Sequence, residues 1–474
     1  MKNRIVVWVI ILGCAFAVLI FSQSGETKPR WKAWNTPSRI AVQQANQPPA
    51  KAHQYQPDMA KFMQNMAPLP DKVYETNRLY LEKWQQETGQ TPQVVLEGIT
   101  FNRLTRLRVA EKADVFVLLQ PMDMYSAKLG YYTTDGLSLW ERIIDLKQFD
   151  MNFADGFLNI QISQTGSRIA VYGFQWETAF LIKVFDDQGN DIPTDGRFHH
   201  MAPSGNYFYG VDEEYMAPEI VIYDKDLNRL DLKIADLYIK YPLAEQTSVS
   251  YRIFNEDYLV VIVNEYVLEK KSIQKNYKSR HRNKFKIFKK TFIIYSLKDK
   301  LIVYKKEFYP TTFIKFSNNL CGMTPNWFVA SLVENKKRKI FFFNIKSHET
   351  YYIKNKSYIY TSLFDDFILL KRPKGKRTSE IELSINFFDI PKKEFKYSFL
   401  FQKGITPRNF RLFNSNIIIK SAITPFYFEI LKLNKMGKIL SHYFGDANLK
   451  SLNIICFLNW KLVKIKENLG EKNE

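Results

Sequence analysis

The chain has 474 residues, 46% of them hydrophobic and 15% aromatic, and a formal net charge of +20. That length suits one large repeat domain or two to three ordinary ones, and the aromatic and β-branched runs can fill a large core built of strands. Three cysteines without a CxxC pair argue against a zinc or thiol-redox centre.

The charge is unevenly placed. Residues 1–250 hold 25 basic and 29 acidic side chains, a net of −4, so the remaining 224 residues carry +24. An anionic partner is one reading of that excess. The other is compositional drift in a half rich in Lys, Ile, Phe, Asn and Tyr.

In chain order, residues 1–22 come first as a signal-anchor or signal peptide. Ile5 to Phe21 is an uncharged run preceded by Lys2 and Arg4, and as a helix it would span about 25 Å, near the lower limit for crossing a bilayer. It reads as an uncleaved anchor, a cleavable signal or, through Ile11-Leu12-Gly13-Cys14, a lipoprotein box. All three export the rest of the chain and place it in the periplasm, at the cell surface or, if cleaved, outside the cell. Residues 23–70 have the Gln-, Pro- and Ala-rich composition of a flexible linker. Residues 71–90 are expected to form a helix with apolar positions at Val73, Leu79, Leu81 and Trp84, closed by Gly89.

From residue 91 to 474 one phrase recurs. An apolar run ends at a polar turn residue, namely Asp186, Asp224, Ser296, Asn344, Asp389 and Asn434, at steps of 38, 72, 48, 45 and 45 residues. Strand-like repeats of roughly 40 to 50 residues predict an all-β fold, a β-propeller of about seven four-stranded blades with six to eight allowed. The units fall near 104–146, 157–197, 198–235, 247–308, 312–354, 357–401 and 407–444. The tail 449–467 supplies further strands, with which Val94–Phe101 is placed to pair and close the ring. Stripes such as Phe341-Phe342-Phe343 read as blade core. Cys321 and Cys456 are either one disulfide or two buried thiols, the second favoured.

Ile162-Ser163-Gln164-Thr165-Gly166-Ser167-Arg168-Ile169-Ala170 resembles the serine-x-x-glycine strand signature of bacterial TolB-like propellers. Val184-Phe185-Asp186-Asp187-Gln188-Gly189-Asn190 resembles the matching turn of NHL-type propellers. The resemblance is sharp over 157–230 and elsewhere lies in the pattern alone. It implies a scaffold that serves many functions and carries over no catalytic role.

The basic clusters fall between the second and third strands of three successive units. The first is an insertion holding Lys270, Lys271, Lys278, Arg280 and Arg282, together with Lys284, Lys286, Lys289 and Lys290. The second holds Lys336, Lys337 and Arg338, and the third Arg372, Lys374, Lys376 and Arg377. Such connections share one face of a propeller, so they predict a basic arc beside an acidic patch at Asp212, Glu213 and Glu214, suited to a polyanion. Long exposed loops are also charged for solubility alone.

Chemistry is harder to find. The chain contains no GxSxG, phosphate loop, HExxH or dinucleotide fingerprint. His199-His200 would point to opposite sides of a strand. Asp224-x-Asp226-x-Asn228 opens like a calcium loop, but Arg229 and Ala235 replace the required Gly and Glu. The sequence therefore predicts a non-enzymatic, exported binding or scaffold module with no cofactor or metal. Its expected partners are a protein, an anionic envelope polymer or lipid headgroups, with nucleic acid disfavoured and the membrane reached through the N-terminal segment. The alternative is a propeller hydrolase or lactonase whose site the sequence does not reveal.

Overall fold

The computed structural model describes residues 58–467, apart from connections of which 269–284 and 309–320 are the longest. The N-terminal apolar run, Cys14 and most of the expected linker lie outside the described residues. The first described elements are α1 (Met59–Asn65), which lies within the stretch expected as linker, and α2 (Asp71–Thr88). Gly89 closes α2 in the left-handed region at φ 68°, the conformation glycine adopts at least cost. Val73, Asn77, Leu81 and Trp84 form its buried side. Leu79, expected there, is instead 61% exposed.

After β1 (Gln93–Glu97), seven antiparallel sheets succeed one another among the described residues. Blade 1 is β2 (Arg106–Val109), β3 (Val115–Pro121), β4 (Ser126–Thr133) and β5 (Ser138–Asp145). Blade 2 is β6 (Gly156–Ile162), β7 (Arg168–Gln175), β8 (Thr178–Asp186) and β9 (Asp191–Ile192). Blade 3 is β10 (His200–Met201), β11 (Tyr207–Asp212) and β12 (Glu219–Asp224). It departs from the expected four strands: only the bridge Tyr223–Arg229 stands in the outermost place, and the short α3 (Ile234–Leu237) comes after it. Blade 4 is β13 (Gln246–Ile253), β14 (Tyr258–Leu268), β15 (Phe285–Ser296) and β16 (Leu301–Phe308). Blade 5 is β17 (Cys321–Met323), β18 (Trp327–Glu334), β19 (Lys337–Asn344) and β20 (Thr350–Lys354). Blade 6 is β21 (Tyr360–Phe364), β22 (Phe367–Lys374), β23 (Glu382–Asp389) and β24 (Glu394–Phe401). The last sheet contains β25 (Pro407–Leu412), β26 (Asn416–Ala422), β27 (Phe428–Asn434), β28 (Ile439–Asn448), β29 (Asn453–Leu458) and β30 (Lys461–Lys466), with β1 outermost. The chain is a seven-bladed β-propeller, as the repeat predicts.

The recurring turn residue has a physical explanation. The side-chain oxygens of Asp186, Asp224, Ser296, Asn344, Asp389 and Asn434 each accept a backbone N–H two to four residues on. In each case a left-handed residue comes next in the turn: Gly189, Leu227, Lys300, His348, Lys393 or Gly437. Asn and Asp favour such turns because their side chains imitate a backbone acceptor. The Asp224 carboxylate is committed to this hairpin, holding Asp226 N at 2.9 Å and Asn228 N at 2.8 Å.

The middle strands of a blade are covered on both sides, so their apolar runs are continuous rather than alternating. Phe341 and Phe343 pack with Val260, Phe292 and Ile294 of blade 4, while Phe342 packs with Ile368, Leu370 and Phe388 of blade 6. All three phenylalanines are buried.

Ring closure is concentrated in the last sheet. Ile439–Gly445 of β28 pairs with β27, whereas Gly445–Asn448 pairs with β29. The strand thus leaves one half of the sheet and becomes the innermost strand of the other. A Cβ at Gly445 would stand 2.0 Å from the Ile455 carbonyl oxygen, so the crossing needs glycine. The second half ends on β1, paired with β30 as the sequence predicts. Its inner strand meets blade 1, where the Val109 N–H donates to Asp446 Oδ2 at 2.9 Å. Cys456, within this half, is a buried free thiol, so it forms no disulfide with Cys321, and burial raises its pKa.

Candidate functional site

Successive strands of a blade run in opposite directions, which sorts its connections onto two faces. First-to-second and third-to-fourth connections share one, the turn face. There Thr134 N donates to Asp114 O and Lys112 N to Gln164 O. Second-to-third connections share the other with the passages between blades, and we name it the link face. There Phe153 N donates to Met124 O, and Ile99 N to Trp460 O.

The basic clusters occupy second-to-third connections in blades 4, 5 and 6. In blade 4 this is the connection from β14 to β15, and Lys270, Lys271, Lys278, Arg280 and Arg282 in it lie outside the described residues. In blade 5 it is the two-residue connection from β18 to β19. Lys336 lies outside the described residues, while Lys337 and Arg338 begin β19 opposite Glu334 and Val333. In blade 6, Arg372 and Lys374 end β22 opposite Ser384 and Glu382, and Lys376 and Arg377 lie beyond it, outside the described residues. Register thus sets one glutamate beside the basic residues of blades 5 and 6. In blade 3, Asp212 ends β11, and Glu213 and Glu214 lie outside the described residues.

Three lysines assigned by the sequence to the blade 4 insertion, Lys286, Lys289 and Lys290, belong to β15 instead. Lys289 lies within β15, with its ammonium 3.2 Å from Glu265 and 3.3 Å from Glu307. Burial acts to lower its pKa, but the hydrogen bonds it donates to both carboxylates and their charge outweigh that and raise it. Its neighbour Lys290 is pushed down to about 8 by burial. Adjacent strand residues point to opposite sides, so Lys289 and Lys290 meet different surroundings. A run of lysines concealed that alternation.

The first and second strands of the blades add cations that the sequence reading did not single out. Arg106 is fully buried beside the Phe157 ring at 5.5 Å, and burial lowers its pKa. Arg108 lies 4.9 Å from the Phe428 ring centre and donates to Asn159 Oδ1 at 3.2 Å. Lys420 lies 4.3 Å from the same ring and pairs with Asp446. The alternation Arg-Leu-Arg-Val in β2 is the signal: Leu107 and Val109 enter the core shared with the last sheet, and the arginines take the other side.

Among the described residues no group of three or more His, Cys, Asp and Glu side chains is arranged to hold a metal ion. The described histidines stand apart. His200 lies against Tyr209, His348 occupies a turn, and His442 pairs with Glu429 at 2.7 Å. His199 lies outside the described residues. No helix among the described residues is long and apolar enough to cross a membrane.

These features define the class as an all-β propeller with a long-connection face of mixed charge. No family model matches the chain, and no curated protein does. Solved structures similar to it include BamB from Moraxella catarrhalis, at 10% identity over 75% of this chain and 95% of the other, with a TM-score of 0.40. The β-propeller domain of the Trilobed protease from Pyrococcus furiosus is similar at 12% identity over 72% and 99%, TM-score 0.38. The dihydro-heme d1 dehydrogenase NirN is similar at 11% identity over 74% and 66%, TM-score 0.36. These likenesses concern the fold alone.

Proposed function

We propose that this chain is a non-enzymatic, extracytoplasmic β-propeller that binds or scaffolds, and that it engages an anionic partner through its link face. The carrying observation is positional. Lys337 and Arg338 open β19 and Arg372 and Lys374 close β22, both at second-to-third connections, and the sequence repeats the pattern in blade 4, which supports a shared basic face. A positive arc of this kind attracts a polyanion or an anionic surface through summed fields and counterion release. The uncharged run Ile5–Phe21 supports export, and with it the choice of an envelope polymer or lipid headgroups over nucleic acid.

Charge reversal tests this. The variant Lys336→Glu/Lys337→Glu/Arg338→Glu is expected to weaken binding to phosphatidylglycerol vesicles or a soluble polyanion by about 100-fold, from about 1 kcal/mol per basic residue at a charged surface. Binding of the unaltered chain should weaken as salt rises. Unchanged binding by the reversed chain would refute the reading.

A further inference from the structure

We infer that the outer seam between blades 4 and 5 binds a phosphate monoester group, held by Lys306, Lys339 and Lys354 together with the Tyr352 hydroxyl. This gives the anionic partner of the proposed function a chemical class and rests on that reading. It moves the contact from the long connections to the strands β15, β16, β19 and β20.

Strand alternation decides which side chains meet in the seam. On β15, Phe292 and Ile294 enter the core that blade 4 shares with blade 5, and Lys290 lies on their side. On β16, Tyr304 and Phe308 pack against the same core, with Lys306 between them. On β19, Phe341 and Phe343 join that core from blade 5, and Lys339 lies on their side. Register sets Tyr352 opposite Phe341 and Lys354 opposite Lys339. Lysines of two blades therefore share one seam, at the end where β16 and β20 reach the link face.

Their head groups gather around one ring. Lys306 Nζ donates to Tyr352 Oη at 3.1 Å and stands 5.8 Å from the centre of the Tyr352 ring and 5.4 Å from that of Phe308. Lys339 Nζ lies 5.5 Å from the Tyr352 ring centre. Tyr352 is 40% exposed, so a ligand can reach it from solvent.

Two features point to an anion. The first is charge without an acid. Like charges directly opposite one another, as Lys339 and Lys354 are, destabilise a sheet. Glu307 is the one acid on these four strands, and it meets Lys289 on the far side of the blade. Glu349 pairs with Lys393, and Glu334 stands opposite Lys337 in register. Among the described residues neither Lys306 nor Lys354 pairs with a carboxylate. The second feature is the hydroxyl. The Tyr352 oxygen accepts from Lys306, which leaves its own proton to donate, and no described residue accepts it. Several ammonium groups beside a neutral O–H donor suit a phosphate monoester, which carries about −1.5 to −2 charge and three acceptor oxygens. A carboxylate offers one charge and two oxygens. Lys290, whose pKa burial pushes down to about 8, would be held protonated by such an anion in the same seam.

The test uses the full chain, with binding of inorganic phosphate followed by calorimetry. Tyr352→Phe keeps the ring and removes the donor, and should weaken phosphate about tenfold. Lys306→Met with Lys354→Met should weaken it by about 100-fold. An unchanged urea midpoint shows that both variants fold. In the unaltered chain, phosphate should slow acetylation of Lys290, read by mass spectrometry, because a protonated amine does not react. Phosphatidic acid in phosphatidylcholine vesicles that competes with free phosphate supports the seam with a lipid headgroup as the source. Phosphate binding that the vesicles leave undisturbed supports it with a soluble phosphate ester as the source. Equal phosphate binding by all variants overturns the inference. Absent phosphate binding, with dextran sulfate still bound in a manner sensitive to Lys337→Glu/Arg338→Glu, overturns the seam and leaves the anionic-partner reading standing. Loss of both signals overturns both.

Discussion

Replacing Asp446 with alanine is expected to lower the stability of the propeller by about 4 kcal/mol. Asp446 is fully buried where the ring closes. Its Oδ2 accepts Val109 N from blade 1 at 2.9 Å, and its Oδ1 accepts Ala447 N at 2.8 Å and pairs with Lys420 from β26. One carboxylate thus joins the first blade to both halves of the last sheet. Alanine would leave Lys420, a residue only 9% exposed, without its anion, and would strip the Val109 N–H of its acceptor. Breaking a buried pair from one side costs about 3–5 kcal/mol because the remaining charge stays desolvated. Asp446→Asn can still accept the Val109 N–H and should cost less. Adding Lys420→Met to Asp446→Ala should restore part of the loss, as expected when the uncompensated charge is the main penalty. The measurement is the urea midpoint at unchanged slope. A shift of under about 1 kcal/mol for Asp446→Ala would show that the carboxylate does not close the ring.

The features legible in the sequence are those set by local chemistry. The six turn residues were readable because an Asp, Asn or Ser acceptor and a left-handed position three or four residues later form a turn wherever strands flank them. Blade 1 uses the same device with Thr133, whose Oγ1 accepts Leu137 N at 3.1 Å before Gly136 at φ 93°. Threonine is commonest in strands, so the acceptor itself does not mark this turn, although Asp135-Gly136 beside it does. The helix over residues 71–88 was readable from Pro70, its apolar spacing and Gly89. What stayed hidden depends on contacts far apart in the chain. Blade 3 lacks its outermost strand although its turn at Asp224 is intact. Lys289 is buried because Glu265 and Glu307 lie across neighbouring strands. The crossing of β28 from one half-sheet to the other turns on Gly445 and on the Ile455 carbonyl, ten residues away. The candidate face was half legible. Strand order lets the sequence assign its basic clusters to second-to-third connections, whereas the buried Arg106 beside Phe157 and Lys420 beside Asp446 depend on strands far apart in the chain.

Asn77 carries the other large effect. It is fully buried on α2, and it donates to the carbonyls of Phe444 at 2.9 Å and Phe457 at 2.6 Å while accepting Phe444 N at 2.7 Å. Phe444 immediately precedes the glycine at which β28 changes partners, and Phe457 lies on the strand it joins. Asn77 bonds to backbone groups at the place where the two half-sheets part. A carboxamide suits that role because it offers two donors and an acceptor in one plane. Asn77→Leu fills the volume but leaves three buried backbone groups unpaired, each costing about 1–3 kcal/mol, so a loss of roughly 4 kcal/mol is expected. Asn77→Asp should be worse, since a carboxylate would face two carbonyl oxygens with no proton to offer them. The damage should be local. Hydrogen exchange should accelerate over α2, β28 and β29 and stay slow in the middle strands of blades 4 and 5, which share no contact with α2 in their cores. Uniform acceleration across all blades would mean that α2 governs the whole ring rather than its closure. No acceleration at all would mean that apolar packing of Leu81 and Trp84 holds α2 without the amide.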